Sequence, residues 1–313
     1  MKKKLFAILL LVVFAFIGCG KEKVEEYPKT INMTYVKAPL NIPSILGRND
    51  GLFQKAFDDV NTEIKFSELT TGPEQIQALA SGQMDILYAL SSTSALIGAS
   101  NGVDLKITGV YTRAPKVFMI LTKDENIKSP KDFIGKKVAG PKGTILHQLL
   151  VTYLNTENVN VDDVEFLNMG LPGAMSALLN GSVDIALLAG PVALNTIKSG
   201  AKVITTGEGL VQGLVVTAVR GDFLEKYPKA MERFNKTNDD ILDIINNHFE
   251  DIVDKVAKEV ENTPEEVRTM FPLYDFNTAI TENDIKDLKA TQDFLIANGL
   301  QEKAIDVESI IVK

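Results

Sequence analysis

The chain has 313 residues, a formal net charge of −8, one cysteine, two histidines and no tryptophan. A lone cysteine excludes an intrachain disulfide and a cysteine-built metal site, and the acidic balance argues against a nucleic-acid partner. The length is enough for two domains of ordinary size, each with its own core.

The N-terminus reads M-K-K-K, then an unbroken apolar run from Leu5 to Ile17 that ends in F-I-G-C. Such a run is shorter than the roughly 20 residues that span a bilayer, and it matches the apolar part of a secretory signal. A small residue before Cys19 is similar to the lipobox of bacterial lipoproteins, with Phe16 where that pattern usually has an aliphatic residue. The expectation is a signal over 1–18, lipidation at Cys19 and a polar tether over 19–29. Removal of 1–18 takes three lysines and leaves 295 residues at −11.

From Ile31 onward the pattern is α/β. I-N-M-T-Y-V alternates as a strand, K-A-P-L-N-I-P is a loop, and one helix is predicted through about Phe57. E-I-K-F-S-E-L is a strand. T-G-P-E-Q-I-Q-A-L-A-S-G is a helix with Pro73 at its start and Gly82 past its end. M-D-I-L-Y-A-L is a strand, S-S-T-S-A-L-I-G-A opens a helix, and two further strands follow, L-K-I-T-G-V-Y and K-V-F-M-I-L-T.

The phrase A-L-A-S-G-Q-M-D-I at Ala78 then returns as A-L-L-N-G-S-V-D-I at Ala177, and Pro172 stands to it as Pro73 does to the first. The surrounding order of elements repeats too, from K-K-V-A-G-P-K-G-T to A-K-V-I-T-T. Two β-α-β-α-β units imply two similar lobes with mostly parallel sheets. Gly82 and Gly181 fit left-handed helix ends, and Asp85 and Asp184 fit carboxylates that hold turn amides. The residues after Gly221 are helical, with Thr263 heading a capping box and Thr281 a second N-cap. They read either as a tail packed on one lobe or as a separate helical domain.

Enzyme signatures are sparse. There is no Walker loop or G-x-G-x-x-G, and neither histidine has a second at helical spacing. What remains is a set of strand-to-helix junctions: Lys37, Pro39, Leu40 and Asn41; Ser91, Ser92 and Thr93; Gly143 and Thr144; Gly190 and Pro191. In open parallel sheets ligands sit at such junctions, where unpaired helix amides favour anionic groups. Each Ser or Thr reads equally as an ordinary N-cap. His147 is either a cleft-rim residue or a packing histidine, and Arg113 either an acid-binding or a solvated loop arginine.

These residues resemble the substrate-binding lipoproteins of ABC importers, in the branch for nitrate, aliphatic sulfonates, taurine and thiamine-precursor pyrimidines. The resemblance runs from about Ile31 to Leu300. It rests on E-L-T-T-G-P-E-Q-I-Q-A-L-A-S-G-Q-M-D-I, S-P-K-D-F-I-G-K-K-V-A-G-P-K-G-T, L-L-N-G-S-V-D-I-A-L-L-A-G-P and V-V-T-A-V-R-G-D-F-L-E-K-Y-P. It implies a periplasmic-binding-protein type II fold, with lobe one over 30–118 and 217–313, lobe two over 119–216, and a two-crossover hinge near Phe118 to Thr122 and Leu214 to Val219.

It also implies a small anionic or zwitterionic ligand held at Lys37 to Asn41, Ser92–Thr93, Gly143–Thr144 and Gly190–Pro191. No cofactor, metal or catalytic residue is expected. The partners would be ABC permease subunits and, through Cys19, a membrane: the periplasm or the outer face of the cytoplasmic membrane. The protein would be a monomer. The chain departs from the sulfonate binders at the tips, with L-S-S-T-S and A-G-P where they often carry an acidic residue with Thr-Pro, and tryptophan with Asp-Pro. The alternatives are a pyrimidine binder, a sensor module that needs a partner protein, and an enzyme on the same fold. The pyrimidine synthases of that fold use a cysteine cluster that this chain lacks.

Overall fold

The computed structural model describes residues 26–37, 39–69 and 71–312. The expected signal, Cys19 and most of the tether lie outside them.

The first sheet is built from β1 (Thr30–Tyr35), β2 (Glu63–Glu68), β3 (Ile86–Ser91) and β4 (Leu105–Arg113). Between these strands run α1 (Ile42–Asn49), α2 (Leu52–Phe57), α3 (Gly72–Ala80) and α4 (Ser92–Ser100). The chain then leaves for a second sheet of β5 (Phe118–Thr122), β6 (Lys137–Gly140), β7 (Glu165–Asn168), β8 (Ile185–Ala189) and β9 (Lys202–Thr206), with α5 (Ile145–Asn155), α6 (Leu171–Leu179) and α7 (Gly190–Lys198). It returns through β10 (Leu214–Arg220) into α8 (Gly221–Lys226), α9 (Pro228–Asn247), α10 (Phe249–Glu259), α11 (Pro264–Met270) and α12 (Glu282–Ala297).

The strand orders are β2-β1-β3-β10-β4 and β7-β6-β8-β5-β9. In each sheet four strands run one way, and the fifth, the strand that has just crossed over, is antiparallel to both neighbours. The sheets therefore exchange one strand, and the chain passes between them at 114–117 and 207–213. Leu214, Val215 and Val216 pair in the first sheet and Phe118 in the second, so the stretches expected to form the hinge are themselves strands. The reason is that apolar residues run on through each strand, while the direction changes in the loop before it, at Pro115 ahead of β5 and at Gly207, Gly209 and Gly213 ahead of β10. At that loop a Cβ on Gly213 would lie 2.9 Å from the backbone of Ala114, so the two crossovers touch.

The central strands β3 and β8 are buried along nearly their whole length, as expected for strands covered by helices on both faces. Under the first sheet, Phe53 stacks on Phe234 with centroids 4.9 Å apart, and Tyr88 stands edge-on to both. Each such buried ring stabilises the fold by about 2–3 kcal/mol. The C-terminal helices are a tail on the first sheet: α9 packs on α1 and α2, and α12 on α4. The single helix expected through Phe57 is two, α1 and α2, broken at Asp50–Gly51. The strand expected from Lys116 starts at Phe118, because Pro115–Val117 is a 3-10 turn.

The repeated phrase does frame each lobe. Gly82 and Gly181 have φ of +75° and +79° and end α3 and α6. The two aspartates act across strands and not within their turns. Asp85 accepts the Asn32 amide at 2.8 Å, and Asp184 accepts the Lys137 amide at 2.8 Å. Each carboxylate extends the ladder to the neighbouring parallel strand by one bond.

Candidate functional site

Each sheet delivers three helix N-termini beyond the carboxyl ends of its parallel strands. In the first sheet these are α1, α3 and α4, and in the second α5, α6 and α7. Their leading amides have no partners inside the helix and carry the positive end of its dipole.

The loop before α1 is anchored at its base by Tyr35, which is fully buried and donates to Glu259 at 2.6 Å beneath the Arg48 guanidinium. Burial, with Glu259 as acceptor, pushes the Tyr35 phenol up to about 12. Lys37 pairs with Glu261 at 3.7 Å, and the Asn41 amide closes the loop on the Lys37 carbonyl at 3.0 Å. Leu40 and Asn41 are buried and Pro39 is half-buried.

At the end of β3 the chain is strained before it delivers the serines. Ala89 has φ +80°, and the pairing with β10 slips between Val216 and Thr217 at this point. The Thr34 hydroxyl takes over part of the ladder, accepting the Tyr88 amide at 2.8 Å and donating to its carbonyl at 3.1 Å. A bulge of this kind re-aims the residues that follow it. Ser91 then caps α4, accepting from the Ser94 amide at 3.3 Å, with the Ser94 and Thr93 hydroxyls at 2.9 and 3.1 Å. Ser92 and Thr93 are buried. Gly72, at the start of α3, packs directly on Ser94 with no room for a side chain.

In the second sheet the loop before α5 is stapled by Asn168, which accepts the Lys142 amide at 2.9 Å. The Thr144 hydroxyl gives its proton to the Pro141 carbonyl at 2.9 Å, so Thr144 has its backbone amide to offer as a donor. α7 starts at Gly190 with φ +55° and Pro191 in its first turn. A Cβ on Gly190 would lie 2.5 Å from the Cβ of Pro39. The loop from one sheet and the helix tip from the other are therefore in contact.

Two expected residues have other roles. Arg113 spends its fork on the tail: it meets Asp284 at 2.7 and 2.6 Å, Asp275 at 3.3 Å, and the carbonyls of Asn277 and Ala279. An acidic ligand would have to displace a carboxylate whose side chain is 1% exposed, which removes Arg113 from the candidate set. His147 is buried between Phe166 and Phe294, and its Nδ1 accepts the Gly143 amide at 3.3 Å. Burial, helped by Lys142, pulls it down to about 4, so it is a neutral packing residue and not a charged rim group.

Sequence reasoning missed Ser94 and the N-termini of α3 and α6, at Thr71–Gly72 and Gly170. Pro73 and Pro172 were the available signal, because each marks a helix start that follows a strand of the parallel set. Among the described residues no cluster of His, Cys, Asp and Glu is arranged to hold a metal.

Comparison with known proteins agrees with this fold. The chain is 28% identical over 99% of its length, and 94% of the relative's, to a "Putative aliphatic sulfonates-binding protein" of Bacillus subtilis. It is 27% identical to the "Taurine-binding periplasmic protein" of Escherichia coli, over 73% of this chain and 68% of that one. The fold matches the crystal structure of the periplasmic aliphatic sulphonate binding protein of Escherichia coli with a TM-score of 0.83 and 22% identity, over 92% and 93% of the two chains. The model of the family described as NMT1/THI5 like matches residues 41–234, and the chain belongs to that family.

Proposed function

We propose that this chain is an extracytoplasmic solute-binding protein that captures a small sulfonate between its two sheets and hands it to an ABC importer. The observation that supports the reading is the contact of Pro39, in the Lys37–Asn41 loop, with Gly190, which brings a strand-to-helix junction of each sheet together. A sulfonate has three oxygens and a fixed negative charge. Helix amides from two sides, with the hydroxyls of Ser92 and Thr93, supply donors for those oxygens without a formal cation.

The named wall residues are Lys37, Pro39, Leu40, Asn41, Ser91, Ser92, Thr93, Gly143, Thr144, Gly190 and Pro191. They include no aromatic ring, which weighs against a stacked pyrimidine. In this reading the lobes are 30–118 with 217–313 and 119–216, and a ligand that touches both stabilises the closed arrangement. Cys19 carries the lipid that keeps the protein at the membrane, and the protein acts as a monomer by binding and release, without turnover.

The test is a thermal-shift panel of taurine, linear alkanesulfonates, nitrate, a pyrimidine and a dicarboxylate. A bound sulfonate at a hundred times its Kd stabilises the fold by about 2.7 kcal/mol. No shift with any sulfonate, or chemical consumption of a panel member on incubation, would overturn the reading.

A further inference from the structure

One face of α12 carries Asp284, Asp287, Thr291 and Phe294, spaced three, four and three residues apart, which places them in one row along the helix. Each touches a different part of the apparatus that joins the sheets. Asp284 holds Arg113 at the end of β4, just before the first crossover. Asp287 accepts the Gln212 amide at 3.2 Å in the second crossover. Thr291 and Gln148 of α5 are hydrogen-bonded at 3.0 Å and both are buried, Thr291 completely. Phe294 meets the edge of His147 at 5.4 Å, and beyond the helix end Leu300 covers Gly143. Of the other buried positions of α12, Leu288 and Leu295 sink into the core cluster beneath α4, and Gln292 accepts from the Gln301 side chain and the Ile305 amide.

We infer that α12 positions the N-terminal turn of α5, and that Thr291 and Gln148 are the positioning pair. A helix rooted in the tail of the first sheet thereby fixes where Gly143 and Thr144 of the second sheet stand. Thr291, with no exposed surface, reaches a ligand only through α5. The consequence for affinity rests on the function proposed above; the positioning itself does not.

The experiment uses Thr291→Val, which removes the hydroxyl at nearly constant shape, and Thr291→Ser, which keeps it. Amide exchange at Gly143 and Gln148, whose N–H groups bond to His147 Nδ1 and the Thr144 carbonyl, reports the α5 turn directly. In Thr291→Val these two amides exchange about tenfold faster while those of β8 are unchanged, and affinity for taurine or ethanesulfonate falls about tenfold. Thr291→Ser restores both to within about twofold. Unchanged exchange at Gly143 and Gln148, or an equal rise in β8, overturns the inference. If the wild-type chain binds neither sulfonate, the functional reading fails by itself and the exchange data still decide this one.

Discussion

The two copies of the repeated phrase share a frame and differ at the tips. Ser91 and Gly190 occupy the same place, ninety-nine residues apart, at the end of β3 and the start of α7. In the first copy the strand is bulged at Ala89 and ends in a hydroxyl cap. In the second β8 pairs with β5 without a break and passes into a bare glycine that lies against Pro39. The same contrast holds one helix earlier. Thr71 and Glu74 make a capping box on α3, whereas α6 starts at Gly170 with no side-chain cap. One copy ends in side-chain hydroxyls and the other in bare backbone. A fold can thus conserve its scaffold and vary its chemistry by changing one or two residues where strand becomes helix.

The largest test of this comparison lies in the frame itself. Asp85 also pairs with Arg220 at 3.1 Å, while Asp184 faces the exposed start of β6. Asp85→Ala is expected to cost about 3 kcal/mol because it strands a partly buried amide and a cation, and Asp184→Ala about 1 kcal/mol. Urea titration measures both, and equal costs would mean that the two frames do the same work.

Next come the tips. Gly190→Ala puts a methyl group into Pro39 at a left-handed φ, and should weaken sulfonate binding about a hundredfold by blocking the approach of the walls. Ser91→Ala removes one cap, costing about 1 kcal/mol of stability and about tenfold in affinity. Calorimetric titration of the two variants side by side separates them, and a larger loss at Ser91 would reverse the assignment of roles.

A smaller effect than those of Asp85 and Gly190 lies between the sheets. Burial, reinforced by Asp284 and opposed by the Gln212 amide, raises Asp287 from 3.8 to about 6. A carboxyl raised in the folded state favours folding below its unfolded value, and that contribution is lost as pH climbs through the folded one. Asp287→Asn should therefore leave stability unchanged below about pH 4 and raise it by about 1–2 kcal/mol above pH 6, allowing for partial exposure. Melting curves across that range check it, and a gain confined to low pH would contradict the sign.

Much of this architecture was legible because it is written locally. Pro73 and Gly82, with their echoes Pro172 and Gly181, mark helix ends by backbone preference alone. The boxes at Thr263 and Thr281 are complete within four residues. What stayed hidden acts across the chain. The sequence offers no sign that Arg113 is claimed by Asp284, 171 positions away, or that the aspartates of the repeated phrase reach the next strand instead of their own turn. Ala89 was hidden for another reason, since an alanine gives no hint of a positive φ that its neighbours impose. The junction residues were readable as a class, with hydroxyls at Ser91 to Thr93 and Gly190 with Pro191 in the second copy, but the approach of Pro39 to Gly190 joins distant segments and left no local mark.

The central claim is that one ligand bridges both tips. Amide exchange of Ser92 to Ser94 and of Gly190 to Val192, with and without a saturating alkanesulfonate, tests it most directly. Protection that rises at Ser92–Ser94 and at Gly190 and Val192 together, with the same concentration dependence, is the predicted result. Protection confined to one sheet, or absent from both, would contradict it.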